Sequence, residues 1–282
     1  MAHDAAPHPA QLPELAPLAV LAPHLAAIGE RAGVVIADGA GTPLLEHGPD
    51  AAFAAASVIK VPLVMALHAE AERGAISLDE RLPVGATVDG SGILRDLRDV
   101  AELSARDHAA LAIMLSDNTA TNRLIERVGI EVVNRYLDRW GCPVTRLRRR
   151  MYDFEAARRG LENVMTPGET TTLLRALLEG VRIERVVADR VLALLDRNQD
   201  DSMLRRYLPD EVRIAHKTGS LAAVRNDVGI VRGPRTVIVA AFTRDLRDPS
   251  EGHAFLGMVG WCAARLAGYA LDPLPSELSP GA

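Results

Sequence analysis

The chain has 282 residues, 48% of them hydrophobic and 24% charged, the balance of a soluble globular protein long enough to bury a substantial core in one large domain or two closely packed ones. A net charge of −5 and a pI near 5.9 exclude the basic footprint of a nucleic-acid binder. No stretch reaches membrane-spanning length without a charge or a proline.

Met1 to Pro13 carries Asp4 and neither Lys nor Arg, and Pro17 and Pro23 interrupt the Leu/Ala segment that follows, so no secretory signal is expected. The chain is expected to be cytoplasmic if full length and exported if a leader has been removed. Residues 18–32 read as a first helix. Val34 to Ala37 read as a strand turning at Asp38-Gly39, with Pro43 to Glu46 as its hairpin partner. From about Phe53 to Asn198 the pattern is helical almost throughout. Ser104 with Asp107 three residues on predicts a capped helix start, and Gly129 and Gly141 predict two helix ends. Glu169–Glu179 and Glu184–Asn198 read as amphipathic helices. Strands then return at Val212 to His216, Val228 to Val231 and Thr236 to Phe242, and an apolar helix over roughly 252–268 closes the chain. Cys142 and Cys262 lie in no CxxC or Cys/His cluster, so both are expected to be buried thiols, with no metal site and no cofactor.

Lys and Arg together number 32, yet only Lys60 and Lys217 are lysine. Arg stays protonated in proteins, whereas a desolvated Lys can act as a base. Lys60 closes Ser57-Val58-Ile59-Lys60 at the head of an apolar helix. Residues three apart share a helix face, so hydroxyl and amine can meet, and a serine nucleophile needs such a partner. The same tetrad also fits an N-cap serine beside an incidental lysine. Pro62 implies that the helix begins close to Ser57 or kinks there. Ser116-Asp117-Asn118 interrupts two helical stretches; Ser116 is placed to relay a proton and Asn118 to grip an amide, or either simply caps the next helix. Lys217-Thr218-Gly219-Ser220 follows a strand, with cation and hydroxyls suited to a carboxylate and a Gly that permits close backbone approach, or it is a charged strand end running into a turn.

In this order the three motifs resemble the signature of class A β-lactamases and penicillin-binding proteins. Leu115 to Asn122 and Gly141 to Leu147 are similar to the same family, and the resemblance covers roughly residues 18 to 270. It implies an α+β fold of the β-lactamase/DD-peptidase type, with an antiparallel sheet flanked by helices in an α/β lobe and an all-helical lobe beside it. Residues 18–48 and 199–270 would form the first lobe, 49–198 the second, and 1–17 and 271–282 would be flexible tails. A monomer is expected. The resemblance further implies that Ser57 is acylated and that Lys60 is its base. Ser116 would protonate the leaving nitrogen, Asn118 would hold the substrate amide, and Lys217, Thr218 and Ser220, with Gly219 between them, would bind its carboxylate. The N–H groups of Ser57 and Ser220 would form the oxyanion hole.

Two departures stand out. The family places a deacylating Glu, closely followed by Leu-Asn, on a loop entered here by Val144-Thr145-Arg146-Leu147. That position falls on Arg150 or Met151. Glu155, then Asp153, are the nearest acids and the candidates for the role, while Arg148 to Arg150 either pin the loop through ion pairs or form a solvated face. The family's further carboxylate-binding Arg has only Arg225 as a candidate, and Asp227 would repel an anion if it faced the cleft. The expected function is therefore opening of β-lactam rings through a Ser57 acyl-enzyme. The alternatives are a penicillin-binding peptidase or esterase with slow deacylation, or a β-lactam sensor. The partner in each case is a small β-lactam or peptide-like molecule.

Overall fold

The computed structural model describes residues 13–275; the parts of the expected tails before and after these limits lie outside the described residues. A 3-10 helix (Pro13–Val20) leads into α1 (Leu21–Ile28), shorter than the helix expected over 18–32 because its first residues are 3-10 and Gly29, with φ of 58°, ends it before a 3-10 turn and strand β1 (Ala32–Asp38). β1 turns at Asp38, whose Oδ1 accepts from Ala40 and Thr42 N–H, into β2 (Pro43–His47). The remaining long strands, β7 (Arg213–Leu221), β8 (Val224–Arg232) and β9 (Thr236–Thr243), join them in one five-stranded antiparallel sheet of order β2-β1-β9-β8-β7. Both faces of this sheet are covered, which is why its central strands read as continuous apolar runs.

Register divides these residues between two cores, since alternate side chains leave a strand on opposite faces. Val34 opposite Ala241 and Ile36 opposite Val239 face α1 and the closing helix α9 (Pro249–Leu266), packing with Phe255, Leu256 and Val259. Val35 opposite Ala240 and Ala37 opposite Ile238 face the other way, into the larger core shared with the helices of residues 53–198.

At the centre of that helical block lies α2 (Lys60–Glu72), buried at every position from Lys60 to His68. Around it stand α3 (Ala105–Met114), α4 (Asn118–Val128), α5 (Ile130–Arg139), α7 (Pro167–Glu179) and α8 (Arg185–Leu195). Ser104 Oγ accepts from Asp107 N–H, as its spacing predicts, and Gly129 and Gly141 follow α4 and α5 with φ of 90° and 83°. Pro62 falls in the first turn of α2, where a missing N–H leaves no helical bond unmade.

The block is less uniformly helical than its composition suggests. β3 (Phe53–Ala54) pairs with β6 (Val164–Met165), β4 (Arg81–Pro83) pairs with β5 (Glu102–Ser104), and residues 84–101 are irregular apart from one 3-10 turn. The remaining helix, α6 (Phe154–Arg158), is a single short turn on the loop between α5 and β6. No helix among the described residues is long and apolar enough to cross a membrane.

Candidate active site

Ser57 sits in a 3-10 turn, Ala56–Ile59, that runs directly into α2. The turn is clamped by its neighbours: Ala55 N–H donates to Asn163 O at 2.8 Å, and Asn226 Nδ2 donates to Ala54 O at 2.9 Å. β7 passes so close that a Cβ on Gly219 would lie 3.0 Å from Ser57 N and 3.1 Å from Ala55 O. The glycine of the third motif thus admits the backbone of Ser57. The third motif also lies within β7 rather than beyond its end.

Lys60 is fully buried, and its Nζ donates to Ser116 O at 2.6 Å, Ser116 Oγ at 3.1 Å and Asn118 Oδ1 at 2.9 Å. The first two motifs therefore meet through the lysine. The hydrogen bonds of the amine go to the Ser-Asp-Asn loop, and none joins it to Ser57 Oγ among the described residues. Burial, followed by the charge of Lys217, holds the Lys60 pKa well below that of an ordinary lysine, against the opposing pull of Asp117. Lys217 is also fully buried; its Nζ donates to Thr218 O at 2.9 Å, and burial brings its pKa down to about 8 although Asp227 and Asp200 raise it.

The loop bearing Ser116 is held by Asp117, which caps α4 in place of the expected Ser116 or Asn118 because its Oδ1 reaches Ala120 N–H at 2.8 Å. Its Oδ2 accepts from Ile93 and Leu94 N–H at 2.7 and 2.9 Å, tying residues 84–101 to the site. A Cβ on Gly92 would fall 2.2 Å from that oxygen, so only glycine fits. Asn118 is buried, with Nδ2 donating to Asp89 O at 2.9 Å. Among the described residues the non-glycine positions with positive φ are Ala56, Ser116, Tyr152 and Asp245, and the first three flank this site. Backbone strain of this kind persists where surrounding structure over-determines it.

A cleft of about 290 Å³ opens over these groups, lined by Ser57, Ser91, Asn118, Asn163, Ser220 and Leu221 and by the loop residues Arg149, Met151, Tyr152 and Phe154. Ser220 is exposed at its rim, while Lys217 and Thr218 are buried.

Of Arg150 and Met151, it is Met151 that lines the cleft with Ser57. Asn122 grips its backbone from both sides, Met151 N–H donating to Asn122 Oδ1 at 2.7 Å and Asn122 Nδ2 to Met151 O at 3.1 Å. Arg150 points outward to Glu126 at 2.8 Å. Neither nearby acid is brought to Ser57. Glu155 is exposed and pairs with Arg159 at 2.6 Å, one turn along α6, and Asp153 caps α6 through Ala156 N–H at 2.9 Å. The arginine run divides between the two readings it allowed: Arg149 is buried and paired with Glu162 at 2.7 Å, while Arg148 is exposed.

Arg225 turns away from the cleft, with Nη1 donating to Leu221 O and Val224 O at 2.7 Å and Nε lying 3.1 Å from His253 Nε2. Asp227 also faces away, toward His216 Nδ1 at 3.1 Å and Leu204 N–H at 3.0 Å, and so does not oppose an anion in the cleft. Asn122, Asn163 and Asn226 were not singled out by the sequence. Each works on backbone groups far along the chain, and no local spacing signals that.

A serine at a helix head, a buried amine with depressed pKa and a serine-bearing loop converging on one cleft define a serine hydrolase of the penicillin-recognising type. Residues 18–263 match the β-lactamase enzyme family, and the chain belongs to that family. It is 29% identical to β-lactamase L2 of Stenotrophomonas maltophilia over 86% of this chain and 83% of that one. A β-lactamase structure from Sphaerobacter thermophilus superposes with a TM-score of 0.81 at 33% identity, covering 90% of this chain and 99% of the other. The structure of PBP-A superposes with a TM-score of 0.77 at 26% identity, covering 88% and 95%.

Proposed function

We propose that the cleft opens β-lactam rings by transferring their acyl group to Ser57 Oγ, and that release of this acyl group by water limits turnover. The observation that carries the reading is Lys60: a fully buried amine, with depressed pKa, 3.1 Å from Ser116 Oγ and three residues from Ser57. In its neutral form Lys60 takes the Ser57 proton as Oγ bonds to the lactam carbonyl carbon. The N–H groups of Ser57 and Ser220 hold the resulting oxyanion. The C–N bond then breaks, and the proton passes from Lys60 through the Ser116 hydroxyl to the leaving nitrogen. Lys217, Thr218 and Ser220 receive the substrate carboxylate, and Asn118 orients its amide.

Hydrolysis of the ester needs a base for the attacking water. Met151 supplies none, and Glu155 and Asp153 are engaged elsewhere. The remaining base is Lys60, which takes the water's proton while Ser57 Oγ leaves and is reprotonated. A Leu-to-Glu mutant of PBP-A has been captured as an acyl-enzyme with penicillin G at 27% identity to this chain, which supports covalent acylation as shared chemistry. Peptide mapping after brief exposure to penicillin tests the assignment. The adduct is expected on Ser57; an adduct on another residue, or none, overturns it.

A further inference from the structure

The chain holds only four Phe, four Tyr and two Trp. Several are spent in the cores: Phe53 stacks with Phe242 at 6.0 Å, and Tyr136 with Trp140 at 5.1 Å. Tyr152 and Phe154 are different. Each is 44% exposed, both line the cleft beside Ser57, and their rings meet edge to face with centroids 4.8 Å apart. Two partly exposed aromatic rings beside Ser57, in a chain this poor in aromatics, form an apolar surface on the cleft wall.

Their placement is enforced. Tyr152 has φ of 67°, a left-handed conformation disfavoured for a bulky side chain. It is fixed from before by the grip of Asn122 on Met151 and from after by Phe154 N–H, which donates to Tyr152 O at 3.0 Å. The Tyr152 ring lies against bare backbone: a Cβ on Gly90 would be 3.2 Å from its Cε2. The Phe154 ring is backed by the Arg149 guanidinium, 6.0 Å from its centroid, a cation already paired with Glu162. Leu221 and Ala222 complete the apolar lining.

We propose that Tyr152 and Phe154 form a subsite for a flat aromatic group on the acyl side of the substrate, so that aryl-acyl β-lactams are favoured over alkyl-acyl ones. This rests on the reading of Ser57 as the acylated nucleophile. With the substrate carboxylate directed to β7 at Lys217 and Ser220, the acyl substituent extends toward the loop that carries the two rings. Ring pairs prefer edge-to-face or offset contacts at centroid separations of about 4.5–7 Å, and an entering aryl group would extend the existing pair in that geometry.

The test compares the acylation rate constant kcat/KM of a phenylacetyl penicillin with that of its acetyl counterpart. The parent is expected to favour the aryl compound about tenfold, the scale of ~1.4 kcal/mol from ring contacts. In the Tyr152→Ala/Phe154→Ala double variant the aryl-to-alkyl ratio should fall to about one, while Tyr152→Phe keeps the preference because the ring face is retained. A parent without aryl preference, or an equal loss for both compounds in the double variant, overturns the proposal. Failure of either penicillin to label Ser57 removes the functional reading itself, and the subsite with it.

Discussion

The lysine-bearing side of the cleft and the loop over residues 148–163 use their polar groups for opposite purposes. Around Lys60 the side chains of Ser116, Asp117 and Asn118 bind the amine or brace the loop that does. The amine reaches three acceptors, Asn118 bridges it to Asp89 O, and Asp117 braces both α4 and the irregular segment before it. In the loop the charges point outward or into its own frame, as Arg149 does with Glu162, Arg150 with Glu126 and Glu155 with Arg159. What the loop presents to Ser57 is Met151, Tyr152 and Phe154. One region gathers polar groups around a buried amine; the other shapes an apolar wall, and no loop carboxylate lines the cleft beside Ser57. On the proposed reading Lys60 serves both acylation and ester hydrolysis, while the loop shapes the space around the acyl group, so changes in the two regions should have different consequences.

The largest effect is expected from Lys60→Arg, which keeps the charge and removes the base. Acylation of Ser57 should fall by about 10²–10⁴-fold in rapid-quench mass measurements. In the parent the acylation rate should decline as pH falls through the depressed Lys60 pKa, because only the neutral amine accepts a proton. Near-normal acylation by the variant would reduce Lys60 to a structural cation and erase the contrast between the two regions.

A second test concerns stability of the helical block that holds Lys60. His68, eight residues on along α2, is buried with both ring nitrogens unpartnered, and burial, then Arg190 and Arg106, bring its pKa down to about 4. Because the folded state favours the neutral ring, its contribution is fully present above pH 6.5 and is lost as pH falls toward 4. The loss amounts to about 3 kcal/mol from this group. Denaturant unfolding should show His68→Leu to be less acid-sensitive than the parent over that window; parallel pH profiles would count against it.

The loop acids should matter least. Asp153→Ala removes the cap of α6 and should cost about 1 kcal/mol of local stability at most. Glu155→Gln loses an exposed ion pair with Arg159 and should leave turnover within about twofold of the parent. Accumulation of acyl-enzyme in the Glu155 variant alone would mean that this loop swings its acid inward during the reaction.

Much of this was legible in the chain itself, for physical reasons that differ by region. β1, β8 and β9 announce themselves because a doubly covered sheet needs uninterrupted apolar strands, and the paired lysines stand out against an arginine background. The β3–β6 and β4–β5 pairs do not, since two or three residues carry no period. Proximity in sequence also does not reveal where Glu155 points: it lies four residues past Met151, and the α6 turn started by Asp153 carries it to solvent beside Arg159. The bracing asparagines stayed hidden because their partners are distant in the chain, 171 and 172 residues away for Asn226.

The central claim, that this cleft acylates readily and deacylates without a loop carboxylate, is tested most directly by pre-steady-state turnover of a chromogenic cephalosporin, followed by intact mass and compared with Met151→Glu. The parent should give a burst equal to the enzyme concentration, then a slow steady rate with the adduct persisting on Ser57. Met151→Glu, placing a carboxylate where Asn122 already holds the backbone, should raise the steady rate by about 10²-fold or more. A parent that turns over rapidly with no burst and no detectable adduct would contradict the account.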